Sequence, residues 1–597
     1  MSTDFSRPQV RFKRWGSAVL AFTLFLWCGI GEVHGQAVVL DPVLRATGAA
    51  VSSGSPVSRV APAVVLPVGP GLVGGGEVLE NLATPVPRRV VSVSVEGVSG
   101  EAPLGAGDVA SLTSGLVGPA VPTSAIEAAR LGLLRRYRDA GFPLVTVAAA
   151  LTSDGKLRYT VTEGRVAEVQ LDGDIGPAGT KVLAFLQNIV RPGPVSASSL
   201  ERWLLLAQEV PGVSLQTVLR PSESEPGALT LVARVTRTAI SGYVAADNRA
   251  YRFSGPEQAL GLVGINSLTS FGERTELSLY RSLLNNTQIF GQAAIEGFLG
   301  SSGAKVRLYG GAGDTMPGGT LRTAGYDGQS VVAGGQVSYP LIYTRQQKLN
   351  LLGVFDMIQS TVFLAGTSAP SSKDSLRVVR LGVDYALQDL VFGASRPAIN
   401  QVSARLSRGL PWFGASHTGS TTLGRQGSNV EYTKFTVEMS RNQTLFSPWQ
   451  DASVNLLTLL AGQGSRDIIP SAEKYYLGGM RFTRGFYAGE VTGDSAVAAT
   501  VELQLNTGVA GEAFGRTYDV GLQFYGFYDM GQSFENRALD ANRRLTSLGL
   551  GVRAALTSYL ELDLEGVSRL TRSPASSSAA VKPLAEQAFY WRLLGRF

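Results

Sequence analysis

The chain has 597 residues but only one cysteine and two histidines. The cysteine, Cys28, lies within the apolar run Trp15 to Ile30, which follows Arg7, Arg11, Lys13 and Arg14 and ends near Gly31 and Gly35. Basic residues, an apolar stretch and then small residues is the order of an export signal, here residues 1–35. With that segment removed, no disulfide, thiol nucleophile or thiolate metal site is available, and Trp27 beside Cys28 fits a lipid-attachment site poorly. Only His417 then supplies an imidazole, whereas metal sites usually want several such ligands, and no recognisable catalytic frame surrounds it. The expectation is no catalytic group, no metal and no cofactor. The formal charge of +6 falls to +4 without residues 1–35, too small a surplus for a nucleic-acid partner.

Charge is scarce as well, at 17% of residues, which is low for a soluble protein of this size. Mean hydropathy is only +0.11. No internal run approaches the roughly 18 apolar residues of a membrane helix. A membrane protein without spanning helices must be a closed β-barrel.

Alternation is what the chain has in abundance. In the stretch after Gly493, Val497, Ala499, Val501, Leu503 and Leu505 share one side, and Ala498, Thr500, Glu502, Gln504 and Asn506 share the other. Further on, Val520, Leu522, Phe524 and Tyr528 oppose Gln523, Tyr525, Phe527 and Asp529. If the apolar face meets lipid, Asp529 lines a lumen, and a loop carrying Arg484 could fold inward to meet it. The row Glu561, Asp563 and Glu565, between Leu560, Leu562 and Leu564, reads as a solvated lumen face.

Gly478-Gly479, then Arg484-Gly485-Phe486, then Gly493-Asp494 and Glu502-Leu503, followed by Phe527-x-Asp529-x-Gly531, resembles the transporters of two-partner secretion, the haemolysin/haemagglutinin secretion-activation family. These belong to the superfamily of outer-membrane assembly and export barrels. The tripeptide alone is a weak motif; the ordered set is far more specific. The resemblance implies a sixteen-stranded transmembrane antiparallel β-barrel, residues 239–597, with Arg484 inside it against Asp529 as a latch. It also implies that the terminal strand, with Phe589, Trp591, Leu593 and Phe597 on one face, is the assembly signal read by the barrel-assembly machinery after delivery by periplasmic chaperones. Phe589, Tyr590 and Trp591 are expected at the headgroup belt.

Residues 36–88 are rich in proline and glycine and read as a linker. Within it, Asp41-Pro42 is the one start for a short plug helix, which Gly48 weakens. Residues 89–165 and 166–238 each read strand, helix, hairpin. Ser124-x-x-Glu127 and Ser198-x-x-Glu201 suggest capping boxes, Asp154-Gly155 a tight hairpin and Pro211-Gly212 a turn. Both resemble the two polypeptide-transport-associated (POTRA) α+β domains of the same family.

The resemblance implies an outer-membrane transporter whose periplasmic modules capture one unfolded exoprotein, such as a β-helical adhesin or haemolysin, by strand addition. The barrel lumen then conducts it, and export could also activate it. No GxxxxGK[ST] loop is present, so export is expected to draw on folding outside the cell. A barrel-assembly insertase is the runner-up and a passive porin the third reading.

Overall fold

The computed structural model describes residues 72–73, 87–98, 104–173, 176–222, 225–284, 287–318, 320–366, 369–513, 516–574 and 583–597. The expected export signal and plug helix lie outside these. No helix among the described residues is long and apolar enough to cross a membrane.

The first α+β module places Ser92–Glu96 parallel to Lys156–Glu163, which pairs antiparallel with Val145–Leu151. Gly155, at φ 86°, makes the hairpin between the last two. Helix Thr123–Asp139 buries the stripe Ile126, Ala129, Leu133 and Tyr137 against Val145, Val147, Leu157 and Tyr159. The second module repeats the order, with Arg165–Asp172 parallel to Ala228–Arg237 and Val213–Pro221 antiparallel to the latter. Its outer edge is partly occupied by the chain itself, because Leu72 and Val73 pair with Thr217 and Val218.

The caps differ from those expected. The first long helix starts after Pro122, whose fixed φ of −62° holds the extended cap conformation, while Glu127 is engaged by Arg130 at 2.8 and 2.6 Å. The second, Ala197–Gln208, is capped by Ser196, which accepts from the Ser199 N–H, and Glu201 turns to the N–H of Arg345 on a barrel turn at 2.6 Å. Two further helices, Ala106–Thr113 and Gly176–Leu186, carry glycines that hide them from propensity arguments. The latter is held by burial of Ala178, Val182, Phe185 and Leu186.

Sixteen strands, each antiparallel to the next, form a closed barrel from Ile240–Asp247 to Gln587–Arg596. Closure pairs Tyr243 with Arg596 through to Asp247 with Arg592. The alternation follows hydrocarbon outside and polar groups inside: Val497, Val501 and Leu503 are about half exposed, whereas Thr500, Glu502 and Gln504 are fully buried.

The second module docks onto one end of the barrel. Glu209 meets Lys305 at 2.8 Å and Lys348 at 2.6 Å and accepts the Tyr343 hydroxyl. Phe185 packs edge-on to Phe298 with ring centroids 4.9 Å apart, and Arg202 donates to the Pro340 carbonyl at 2.9 Å. The opposite end is the outer end of the barrel. From the outer end the segment 466–494 folds back into the lumen.

Candidate functional site: a guanidinium latch inside the barrel

The inward loop is built around a short hairpin, Tyr475–Leu477 paired with Val491–Gly493. Beyond its first strand, Gly478 adopts φ 99°, and a Cβ there would lie 2.0 Å from the Tyr487 carbonyl oxygen, so only glycine fits. The Thr483 hydroxyl accepts the Gly478 N–H at 2.8 Å, and the Phe486 N–H donates to the Thr483 carbonyl at 3.0 Å. These bonds close a tight turn with Arg484 at its tip. Phe486 is fully buried in a cluster with Leu477, Phe482, Val491 and Leu545.

Arg484 and Asp529 meet directly. The Arg484 backbone N–H donates to Oδ2 at 2.8 Å, Nε donates to Oδ2 at 3.1 Å and Nη2 to Oδ1 at 3.1 Å. Nη1 also pairs with Glu502, and Glu565 lies 3.9 Å away. The guanidinium lies 3.8 Å from the centroid of the Phe527 ring. Arg484 is 4% exposed and Asp529 fully buried.

Gly485 and Gly531 make this approach possible. A Cβ on Gly485 would come within 2.6 Å of Ser547 Cβ and 2.8 Å of Val567, and one on Gly531 within 2.9 Å of Thr483. The Gly485 carbonyl accepts from Arg569 Nε at 2.6 Å and from the Tyr590 hydroxyl at 2.9 Å. The tip is thus gripped through backbone and side chain alike.

Sequence reasoning leaves several members of this site unremarked. Arg249 donates to Glu565 at 2.5 Å and to the Arg484 carbonyl at 2.6 Å, and it stacks on Tyr590. Arg553 pairs with Glu502 at 2.7 Å and stacks on Tyr525, whose hydroxyl oxygen lies 2.8 Å from a carboxylate oxygen of Asp563 and of Glu565, its one proton shared between them. Glu502 was legible as a lumen-facing carboxylate. Arg249 sits on a loop after Asp247, where no periodicity points to it.

Two expectations are corrected. Asp563 and Glu565 are not a solvated face: both are buried and enclosed by Arg553, Arg249 and Tyr525. Tyr590 is not at the headgroup belt, because strand alternation turns it inward onto the loop tip, 1% exposed. Phe589 and Leu593 do face outward, with Trp591 half-buried between them, and Phe597 is exposed while its backbone exchanges two hydrogen bonds with Gly242.

The same loop is tied down at two further points. Glu473 is fully buried and held by Arg380 at 2.6 and 3.0 Å and by Lys434 at 2.8 Å. At the far root Asp494 pairs with Arg425, which also reaches Glu535 at 2.8 Å and Asp540 at 2.9 Å. The arrangement is one of saturated ion pairs across separable elements, chemistry suited to holding and releasing a segment. Among the described residues, no group of three or more His, Cys, Asp or Glu is arranged to hold a metal ion.

The chain as a whole is similar to known proteins. A family model described as Haemolysin secretion/activation protein ShlB/FhaC/HecB matches residues 229–554, more than half the chain. The heme/hemopexin transporter protein HuxB of Haemophilus influenzae is 20% identical over 406 residues, 67% of this chain and 68% of its own. Among solved structures, CdiB from Escherichia coli has the same fold with a TM-score of 0.66 at 17% identity, covering 89% of this chain and 94% of that one. CdiB from Acinetobacter baumannii follows at 0.59 and 14%, covering 86% and 90%.

Proposed function

Because the chain belongs to the haemolysin secretion/activation protein family, a family of outer-membrane transporters that export partner proteins, we propose that it secretes one large β-helical exoprotein, an adhesin or haemolysin in type, and that the Arg484–Asp529 contact latches its resting pore. The observation that carries the latch is the burial of a loop-borne guanidinium against carboxylates of the barrel wall. A loop held this way fills the lumen; once withdrawn, it opens a path lined by charged and polar side chains.

The periplasmic modules receive the unfolded client by strand addition at an exposed sheet edge, where main-chain hydrogen bonds give affinity without demanding one sequence. The client threads outward, and folding outside makes return unfavourable. Phe589, Trp591, Leu593 and Phe597 present the outward apolar face of the closing strand to chaperones and to the barrel-assembly machinery during biogenesis.

Secreted and outer-membrane proteomes with and without this chain test the reading. Loss of one or a few exoproteins from the supernatant or cell surface is the expected result. Broad loss of other barrels would instead assign an insertase. Deletion of residues 89–238 should abolish secretion, and unchanged secretion from that variant would refute capture by the modules.

A further inference from the structure

Among the described residues, Arg380, Arg405, Arg425, Arg484 and Arg553 in the lumen pair with carboxylates, whereas Lys373, Arg377 and Arg408 on the outside wall have no carboxylate partner. Lys373 and Arg377 on strand Ser372–Asp389, and Arg408 on strand Ala398–Gly409, alternate with Asp374, Arg380, Arg405 and Ser407, which are buried inside the barrel. Alternation therefore turns all three toward lipid. They stand at the outer end of their strands, the end opposite the docked periplasmic module. One step toward the membrane centre, Leu381, Leu406 and Phe435 are register neighbours and 61%, 49% and 50% exposed. The cations thus mark the upper border of the apolar band.

The two arginines are held without neutralisation. Arg377 donates from Nε to the Phe413 carbonyl at 3.1 Å and from Nη1 to the Leu376 carbonyl at 2.9 Å. Arg408 donates from Nη1 to the Thr433 hydroxyl at 2.7 Å. Asp467, an acid on the same rim, is occupied by Asn429 and the Thr433 N–H, each at 2.9 Å. The loop after Gly409 runs along the upper edge of the neighbouring strand, with Leu410 N–H on the Arg377 carbonyl and Ser416 N–H on the Ser375 carbonyl, both at 2.8 Å. It leaves Trp412 and Phe413 exposed beside the cations. Interfacial aromatic rings and uncompensated guanidinium groups at a hydrocarbon border are what an anionic headgroup stabilises.

We propose that this patch binds a phosphate-bearing lipid of the outer leaflet, its phosphate between Arg377 and Arg408 and its acyl chains along Leu381, Leu406 and Phe435. A guanidinium suits the phosphate because its planar donors can engage two oxygens at once. The proposal rests on barrel orientation and not on the latch.

The test titrates detergent-purified full-length protein with bisphosphorylated lipid A, dephosphorylated lipid A or inorganic phosphate, with bound mass read by native mass spectrometry. The parent and an Arg544→Gln control, altered at another exposed rim arginine, should retain bisphosphorylated lipid A and hold the dephosphorylated form weakly. The triple variant Lys373→Gln, Arg377→Gln, Arg408→Gln should lose tenfold or more in affinity, since each basic residue at an anionic leaflet is worth a factor of about five. Heat-modifiable gel mobility checks that it is folded; should it not fold, Arg408→Gln alone, with about a fivefold loss, decides. Equal retention by variant and parent overturns the proposal. So does displacement of the lipid by millimolar inorganic phosphate, which would make the patch a free-anion site.

Discussion

Among the described residues, the hydrogen bonds to the Asp529 carboxylate all come from Arg484. Glu502, by contrast, keeps Arg553, and Glu565 keeps Arg249, if Arg484 is removed. Arg484→Met, which preserves the length and packing of the side chain, therefore strands one fully buried carboxylate. Breaking a buried pair by removing one partner costs about 3–5 kcal/mol. That cost falls on the latched state alone, because withdrawal of the loop lets water reach Asp529. At about 1.4 kcal/mol per tenfold, the latched-to-open ratio should drop by roughly two to four powers of ten.

The cysteine-poor chain makes this measurable. Ala488→Cys places a single thiol on the inward loop, the sequence's one other cysteine, Cys28, lying in the expected export signal. Labelling by a membrane-impermeant maleimide should be slow in the parent and faster by the stated factor in Arg484→Met, with a matching rise in conductance across planar bilayers and reduced secretion. Asp529→Asn should do less, since the carboxamide oxygen still accepts from Arg484 and no charge is stranded on the wall. The double variant should fall short of the summed single effects, since the two groups touch. If a folded Arg484→Met barrel labels, conducts and secretes at parental rates, the latch reasoning is refuted.

Three other outcomes follow from the same geometry. Gly485→Val keeps every charge but drives a side chain into Ser547 and Val567; it should open the loop as Arg484→Met does, and a parental labelling rate would show that tip clearance is not required. Burial alone would raise the Glu209 carboxyl, but Lys305 and Lys348 outweigh it and hold it at about 2 against an ordinary 4.5. Because the docked-state value is depressed, docking of the second module should be fully stabilised above 4.5 and weaken as pH falls toward 2; hydrogen exchange over residues 197–210 reads this, and Glu209→Gln should loosen the junction at neutral pH and remove the pH dependence. Glu473→Gln leaves Arg380 and Lys434 short of a buried counter-charge, so the temperature at which the barrel loses its heat-modifiable form should fall, while tip labelling changes less than in Arg484→Met.

The strands were legible because lipid outside and polar groups inside impose a period of two on nearly every crossing, as in Val497 to Asn506. The approach of Arg484 to Asp529 was legible only as an ordered motif; no periodicity says that a loop 45 residues upstream returns to that wall. The corrections share one cause. Composition treats Glu561, Asp563 and Glu565 as a charged row facing water, but Arg249 and Arg553 arrive from distant segments and enclose two of them. Likewise Tyr590 reads as one of three adjacent aromatics, yet register sends it alone to the lumen, where its hydroxyl finds the Gly485 carbonyl. Helix starts failed because Glu127 and Glu201 take other partners than their own helix termini, Arg130 one turn along and the Arg345 N–H on a distant barrel turn.

The charge pattern bears on what replaces the tip when it leaves. Around it stand the carboxylates of Glu502, Asp529, Asp563 and Glu565, and on the wall and neighbouring loop the guanidinium groups of Arg249, Arg553 and Arg569. With Arg484 in place the Asp529 carboxylate has a bonded counter-charge; with the tip withdrawn it loses that partner. Water and salt screen that carboxylate once the lumen is wet, which keeps the open state accessible. A passing segment that carries lysine or arginine would be favoured transiently at the same place, by roughly 0–1 kcal/mol in a hydrated pore. That is enough to bias entry and too little to trap the chain, so the strength of the latch in a dry site and its weakness in a wet one come from the same pair of groups.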